Sequence, residues 1–146
     1  MPVYAANKKA RFDYEILDTL EAGLVLSGQE VKSIRGGQAK LAGGFITFHN
    51  DAAFLTNVHV PRYKHAGALP DYRPDRSRKL LLKKKQIDYL RGKTQERGLT
   101  IVPLSLYTKG PHIKVEVGLA RGKKKYDKRE TIKKRELERE IRRTLQ

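Results

Sequence analysis

The residues of this chain best suited to chemistry are cations, and their chemistry is the neutralisation of phosphate. The run Gly122-Lys123-Lys124-Lys125-Tyr126-Asp127-Lys128-Arg129 opens a segment, Arg121 to Gln146, in which twelve Lys and Arg stand against five acids, a net +7. A partner that can satisfy so many cations is a polyanion, and RNA fits best. A second concentration lies between residues 73 and 93. There Arg73, Arg76, Arg78, Lys79, Lys83, Lys84, Lys85, Arg91 and Lys93 face only Asp75 and Asp88, and they read together as a phosphate-contacting surface.

Catalytic constellations are missing from the sequence. His49, His59, His65 and His112 have neither HExxH spacing nor a carboxylate array, so no metal is expected. Gly92-Lys93-Thr94 ends like a phosphate-binding loop, but Ile87 occupies the position of the opening glycine. There is no G-x-S-x-G and no cysteine for a Cys/His pair, a disulfide or a Cys-based zinc site. The expectation is a binding protein with no catalytic residue and no cofactor, and a small nuclease is excluded for want of an acid/base pair.

The whole chain carries 32 Lys and Arg against 16 Asp and Glu, a formal +16 over 146 residues with a pI of 10.2. Because the last 26 residues hold +7 of this, the first 120 keep +9, and the folded part is itself basic. No apolar run approaches the ~18 residues of a membrane span and no signal peptide opens the chain, so a soluble, cytoplasmic protein is expected. At 38% hydrophobic, residues 1–120 can bury one core, and residues 121–146 form a separate basic tail.

Period-two alternation dominates the first 120 residues. Ile113, Val115, Val117 and Leu119 alternate with Lys114, Glu116 and Gly118 as a half-buried strand does. Its hairpin partner is expected over Leu99–Tyr107, with Val102, Leu104 and Leu106 on one face and a turn at Thr108-Lys109-Gly110-Pro111; Pro103 implies an edge or a bulge. A second hairpin is expected from Gly44 to Phe48, through His49-Asn50-Asp51, into Phe54, Thr56, Val58 and Val60. Tyr14 to Leu26 reads as extended, with a bulge or corner at Glu21-Ala22-Gly23. Helices are expected over Gln29–Arg35, stopped by Gly36-Gly37, and over Lys83–Arg97, with Ile87, Leu90 and Thr94 on one face and Gly98 at the end. Residues 61–77 read as a surface loop. The sum is a mainly β protein, a small closed antiparallel β-barrel of the OB-fold type with two or three short helices.

Tyr63, Tyr72, Tyr89, Tyr107 and Tyr126 are interleaved with the charges, and Tyr126 is expected to stack on a base because its segment has no core to join. Asp127, three residues before Glu130, has the spacing of a helix cap. Ile132, Leu137, Ile141 and Leu145 then form a thin apolar line, so the tail is expected to be disordered when free and helical on a partner surface.

NKKARFDYEI (7–16), EAGLVLSGQEVKSIRGG (21–37), SRKLLL (77–82), LSLY (104–107) and GKKKYDKR (122–129) together resemble the SmpB family, the SsrA-binding proteins, over essentially the whole chain. The resemblance implies a non-enzymatic adaptor, monomeric when free, that binds the tRNA-like domain of tmRNA. It implies delivery of that RNA to stalled ribosomes for trans-translation, with the tail in the empty mRNA channel near the small-subunit decoding region. By matching position, Asn7, Glu21, Ala22, Gly23, Leu81 and Lys114 would face tmRNA, and Gly122, Lys123, Lys124, Tyr126, Asp127, Lys128 and Arg129 would face the ribosome. Tyr126 stands where some members have His, and either ring can stack. The alternative is an integral ribosomal or other basic OB-fold nucleic-acid-binding protein. Its extension would be locked permanently into RNA.

Overall fold

The computed structural model describes residues 2–65, 67, 70–123 and 125–144, the last stretch by its backbone alone over 125–131 and at 144. Strand β1 (Val3–Ala6), helix α1 (Lys8–Asp13), strand β2 (Tyr14–Leu24), helix α2 (Gly28–Arg35), strands β3 (Phe45–His49), β4 (Ala52–Thr56) and β5 (Arg78–Leu81), helix α3 (Lys84–Thr94), strands β6 (Leu99–Lys109) and β7 (His112–Gly122), and helix α4 (Lys125–Thr144) follow in chain order. The seven strands form one antiparallel sheet in the order β1-β6-β7-β2-β5-β4-β3.

The alternation in β7 does what its pattern dictates. Ile113, Val115, Val117 and Leu119 are all buried in the main core, together with Ile34, Leu55, Val58, Val60, Leu80, Leu90, Ile101 and Leu106. In β6 the expected single face of Val102, Leu104 and Leu106 is split. A register shift between Pro103 and Ser105 inverts the side chains, so Leu106 enters the main core while Val102 and Leu104 join a second cluster with Ala10 and Ala120 on the other side of the sheet. Helix α1 covers that cluster. It has only six residues and one buried side chain, Ala10, too little apolar periodicity to announce itself in the sequence.

The turns follow their residue types. Asn50 takes a left-handed conformation (φ 53°) in the β3–β4 turn, as Asn tolerates, and Gly110 does so (φ 61°) between β6 and β7. A second left-handed residue, Asn57 (φ 59°), ends β4 and interrupts the alternation expected through Val60. Ala53 and Leu55 therefore point inward from β4, while Phe54 and Thr56 are half-buried and Val58 and Val60 re-enter the core beyond the break. The irregularity in β2 falls between Ile16 and Asp18; Glu21-Ala22-Gly23 pairs regularly with Lys114-Val115-Glu116. Helix α2 begins with a capping box in which the Glu30 N–H donates to Ser27 Oγ and the Ser27 N–H donates to Glu30 Oε1. Helix α3 ends at Thr94, three residues before the expected stop, with Gly98 left-handed (φ 81°) beyond it.

The expected closed barrel is corrected to an open sheet. β3 comes up against β6, yet no ladder joins them among the described residues. Pro103 faces this seam without an N–H to donate, and Gly44 is wedged there: a Cβ on it would lie 2.5 Å from Val58 Cγ2 and 3.1 Å from Pro103 Cγ. Asn7 fastens the gap instead. Its Nδ2 donates to Pro103 O (2.8 Å) and Leu41 O (3.3 Å), while its Oδ1 caps α1 by accepting from the Ala10 N–H.

One charge placement overturns a surface expectation. Arg78 is fully buried: its Nε donates to Glu30 Oε2 at 2.5 Å, and its other nitrogens donate to Val58 O and Pro74 O. Arg76 Nη2 donates to the other Glu30 oxygen at 2.5 Å. The two arginines and Glu30 form an ion cluster that ties α2, β5 and the 61–77 loop together; Arg78, buried within it, leaves the phosphate-contacting set, whereas the Arg76 side chain stays 43% exposed.

Candidate nucleic-acid interface

Gly23 is the residue about which the outer face of the sheet is organised. It pairs with Lys114 of β7 on one side and with Leu81 of β5 on the other, so three distant segments meet at one point. The approach of β5 is close: a Cβ at Gly23 would sit 3.1 Å from Leu81 Cβ and 3.2 Å from its Cδ1. Glycine thus lets the Leu81 side chain lie over the strand, where it stays 55% exposed, a large apolar side chain facing water. A shallow groove of about 160 Å³ runs past Gly23, Leu81 and Lys114 to Val31 and His112.

Glu21 stands two residues along β2, directly across from Glu116. Two facing carboxylates repel, and each is met by its own partner. Arg11 Nη2 lies 3.1 Å from Glu116 Oε1, while Tyr107 OH donates to Glu21 Oε2 at 2.5 Å and Lys109 Nζ donates to Glu21 Oε1 at 3.4 Å. The Tyr107 hydrogen bond, with the lysines behind it, holds the Glu21 carboxyl below its ordinary range. Burial and the Glu21 contact push the Tyr107 hydroxyl well above its own, so it remains a donor. Glu21 is therefore an oriented anion inside a cationic face, suited to accept from exocyclic amino groups of bases, while Lys114 is placed to meet phosphate.

Of the six residues expected to face tmRNA, Glu21, Gly23, Leu81 and Lys114 are brought together here. Ala22 is turned inward, 1% exposed and paired with Val115, and Asn7 is buried with its amide committed to the β3–β6 seam. Tyr107 and Lys109 were not singled out as partners of Glu21. The signal was present in the hairpin: a turn at Gly110-Pro111 pairs Tyr107 with Lys114 and so sets its ring on the outer face.

The tail departs from the end of β7. Gly122 pairs with Tyr14, the Lys123 N–H donates to Asp13 O at 2.9 Å, and α4 starts at Lys125. Lys124 lies outside the described residues, as do the side chains of Tyr126, Asp127, Lys128 and Arg129, whose backbone forms the first turns of α4. Asp127 is thus inside the helix rather than at its cap. Farther along, Ile132, Leu137 and Ile141 are half-exposed, and the Arg135 guanidinium lies 5.5 Å from the Phe12 ring of α1. No cluster of three or more potential metal ligands occurs among the described residues, and no helix among them is long and apolar enough to cross a membrane.

A small, strongly basic, mainly antiparallel β-protein with a mixed apolar and charged face and a cationic terminal helix belongs to the class of RNA-binding β-proteins. The model of the SmpB protein family matches residues 4–146, and the chain belongs to that family. It is 54% identical to the SsrA-binding protein of Enterococcus faecalis, over 97% of this chain and 91% of that one. It is 56% identical to the SsrA-binding protein of Streptomyces coelicolor, over 97% and 88%. Among solved structures, a chain described as "tmRNA-SmpB: a journey to the center of the bacterial ribosome" superposes with a TM-score of 0.71 at 42% identity, covering 90% of this chain and 95% of that one.

Proposed function

We propose that this chain is a non-enzymatic adaptor that binds the tRNA-like domain of tmRNA and brings it to stalled ribosomes in trans-translation. The observation that supports this most directly is the convergence of Glu21, Gly23, Leu81 and Lys114, from three strands, on one outer face. Leu81 gives that face an apolar surface for an unstacked base or ribose, Glu21 an oriented acceptor, and Lys114 a phosphate contact. Asn7 and Ala22 act behind it, the first by fixing α1 and the seam, the second by keeping β2 close to β7. We further infer an OB-type ancestry for the curled sheet, with the β3–β6 seam held by Asn7 where a ladder would run.

Residues 121–146 form the ribosome-facing module. Gly122 and Lys123 set the exit direction, and Lys124, Tyr126, Asp127, Lys128 and Arg129 meet ribosomal RNA near the decoding region and mRNA channel of the small subunit. A helix so polar is marginal alone, and we propose that it is populated weakly in the free cytoplasmic monomer and fully on the ribosome. A chain stopped after Lys123 is expected to fold, to copurify with one dominant tmRNA species, and to fail in tagging on stalled ribosomes. Copurification of bulk ribosomal RNA with no tmRNA enrichment would favour an integral ribosomal protein. Normal tagging by the shortened chain would remove the role given to the tail.

A further inference from the structure

A cleft of about 450 Å³ lies between the C-terminal half of α2 and the segment after Val60, outside the face just described. Lys32, Ser33, Gln38, Arg62, Tyr63 and Lys64 line it, so three cations and an aromatic ring converge with no carboxylate among the described lining residues. Lys32 Nζ sits 5.7 Å from the centroid of the Tyr63 ring, and His65 meets that ring edge-on at 5.3 Å. Ser33 is fully buried at the cleft floor, and its Oγ has no hydrogen-bond partner among the described residues.

Both walls are fixed by the fold. α2 is held by its capping box and by Ile34 and Glu30 in the interior. The segment after Val60 is held from behind, because Tyr72 OH donates to Val60 O at 2.7 Å and to Pro61 O at 3.2 Å. α2 also divides this cleft from the recognition face. Val31 lines the groove beside Leu81 and Arg35 Nη2 donates to Pro111 O on that side, whereas Lys32 and Ser33 look the other way.

We propose that this cleft is a second RNA site that takes one unpaired nucleotide, its base stacked on Tyr63 and its flanking phosphates between Lys32, Arg62 and Lys64. A lone phosphate would leave the ring and most of the volume unused. A nucleotide uses both, since every base has a π-face and a preset ring costs little to order. The inference rests on the RNA-adaptor reading for its ligand class, and the RNA that supplies the nucleotide is either the carried tmRNA or the ribosomal RNA around it.

The test titrates the isotope-labelled full chain with a five-nucleotide oligoadenylate, following amide shifts in the wild type, Lys114→Glu, Tyr63→Phe, Tyr63→Leu and the Lys32→Glu, Lys64→Glu double variant. Shifts centred on Lys32, Tyr63 and Lys64 are expected in the wild type, in Lys114→Glu and in Tyr63→Phe. Tyr63→Leu should weaken binding about tenfold through lost stacking, and the double variant should abolish it. Failure of the earlier reading would show separately, as tmRNA binding that survives Lys114→Glu. No shift at Tyr63, the same shifts from inorganic phosphate alone, or unchanged affinity in Tyr63→Leu would each overturn the cleft. The double variant is then assayed for tRNA-like-domain binding and for ribosome association. The assay that falls identifies the source of the nucleotide, and a fall in neither overturns the proposal.

Discussion

Two carboxylates in this molecule are built from the same parts and used differently. Glu30 is 1% exposed and held by Arg78, Arg76 and the Ser27 N–H; Glu21 is held by Tyr107 and Lys109 on the open face of the sheet. Inside, removal of one partner leaves an uncompensated charge in a low-dielectric interior. Outside, water screens whatever is left. The contrast teaches that charge clusters in a chain this basic divide by burial: the inner one fixes the loop and α2 that frame the molecule, while the outer one can be spent on a ligand.

The largest expected effect comes from breaking the inner cluster. Glu30→Gln should strand Arg78 and cost about 3–5 kcal/mol of stability, measured by urea unfolding. A loss no larger than that of a surface substitution would place the cluster among incidental contacts.

Acid gives the next effect in size. Burial pushes the Glu30 carboxyl upward, but the Ser27 N–H and the guanidiniums of Arg76 and Arg78 outweigh it and hold the group below its ordinary value of 4.5. The stability this supplies is fully present above that value and drains away as pH falls through the lowered one. Unfolding monitored by circular dichroism should therefore steepen below pH 4.5 in the wild type, and Glu30→Gln should flatten the slope.

The smallest effect is expected at the outer cluster. Tyr107→Phe removes the hydroxyl that holds Glu21 and should change stability by less than about 0.5 kcal/mol. The Glu21 carboxyl should titrate closer to its ordinary range, as followed by side-chain NMR, and tmRNA affinity should fall modestly. A stability loss as large as that of Glu30→Gln would erase the distinction between the clusters.

The same contrast explains what the sequence disclosed. Lys114 could be placed outward because Ile113, Val115 and Val117 alternate around it, a strictly local pattern. Arg78 looked like surface because its partner, Glu30, is 48 positions away and no local pattern links them. The β6–β7 hairpin was readable from its turn chemistry, and Pro103 gave warning of the bulge that turns Leu106 away from Leu104. α1 was hidden by its brevity. The break in β2 falls at Leu17 rather than at Gly23, beside a close approach across the sheet in which a Cβ on Gly118 would meet Leu104 Cδ1 at 2.8 Å and Ile16 Cγ2 at 3.3 Å, a contact no local pattern discloses. The proposed recognition face is non-local in the same way. Glu21, Gly23 and Leu81 came forward only through resemblance to a family, and strand register is what joins them to Lys114.

The most direct test of the central claim is to measure Lys114→Glu twice on the same preparation, once for affinity to the tRNA-like domain of tmRNA and once for thermal unfolding. The account predicts at least a tenfold loss of affinity, roughly 1.4 kcal/mol, with the melting temperature unchanged within about 2 °C. Affinity that survives the reversal, or that falls only in step with the melting temperature, would contradict the claim that this outer face is where the RNA is held.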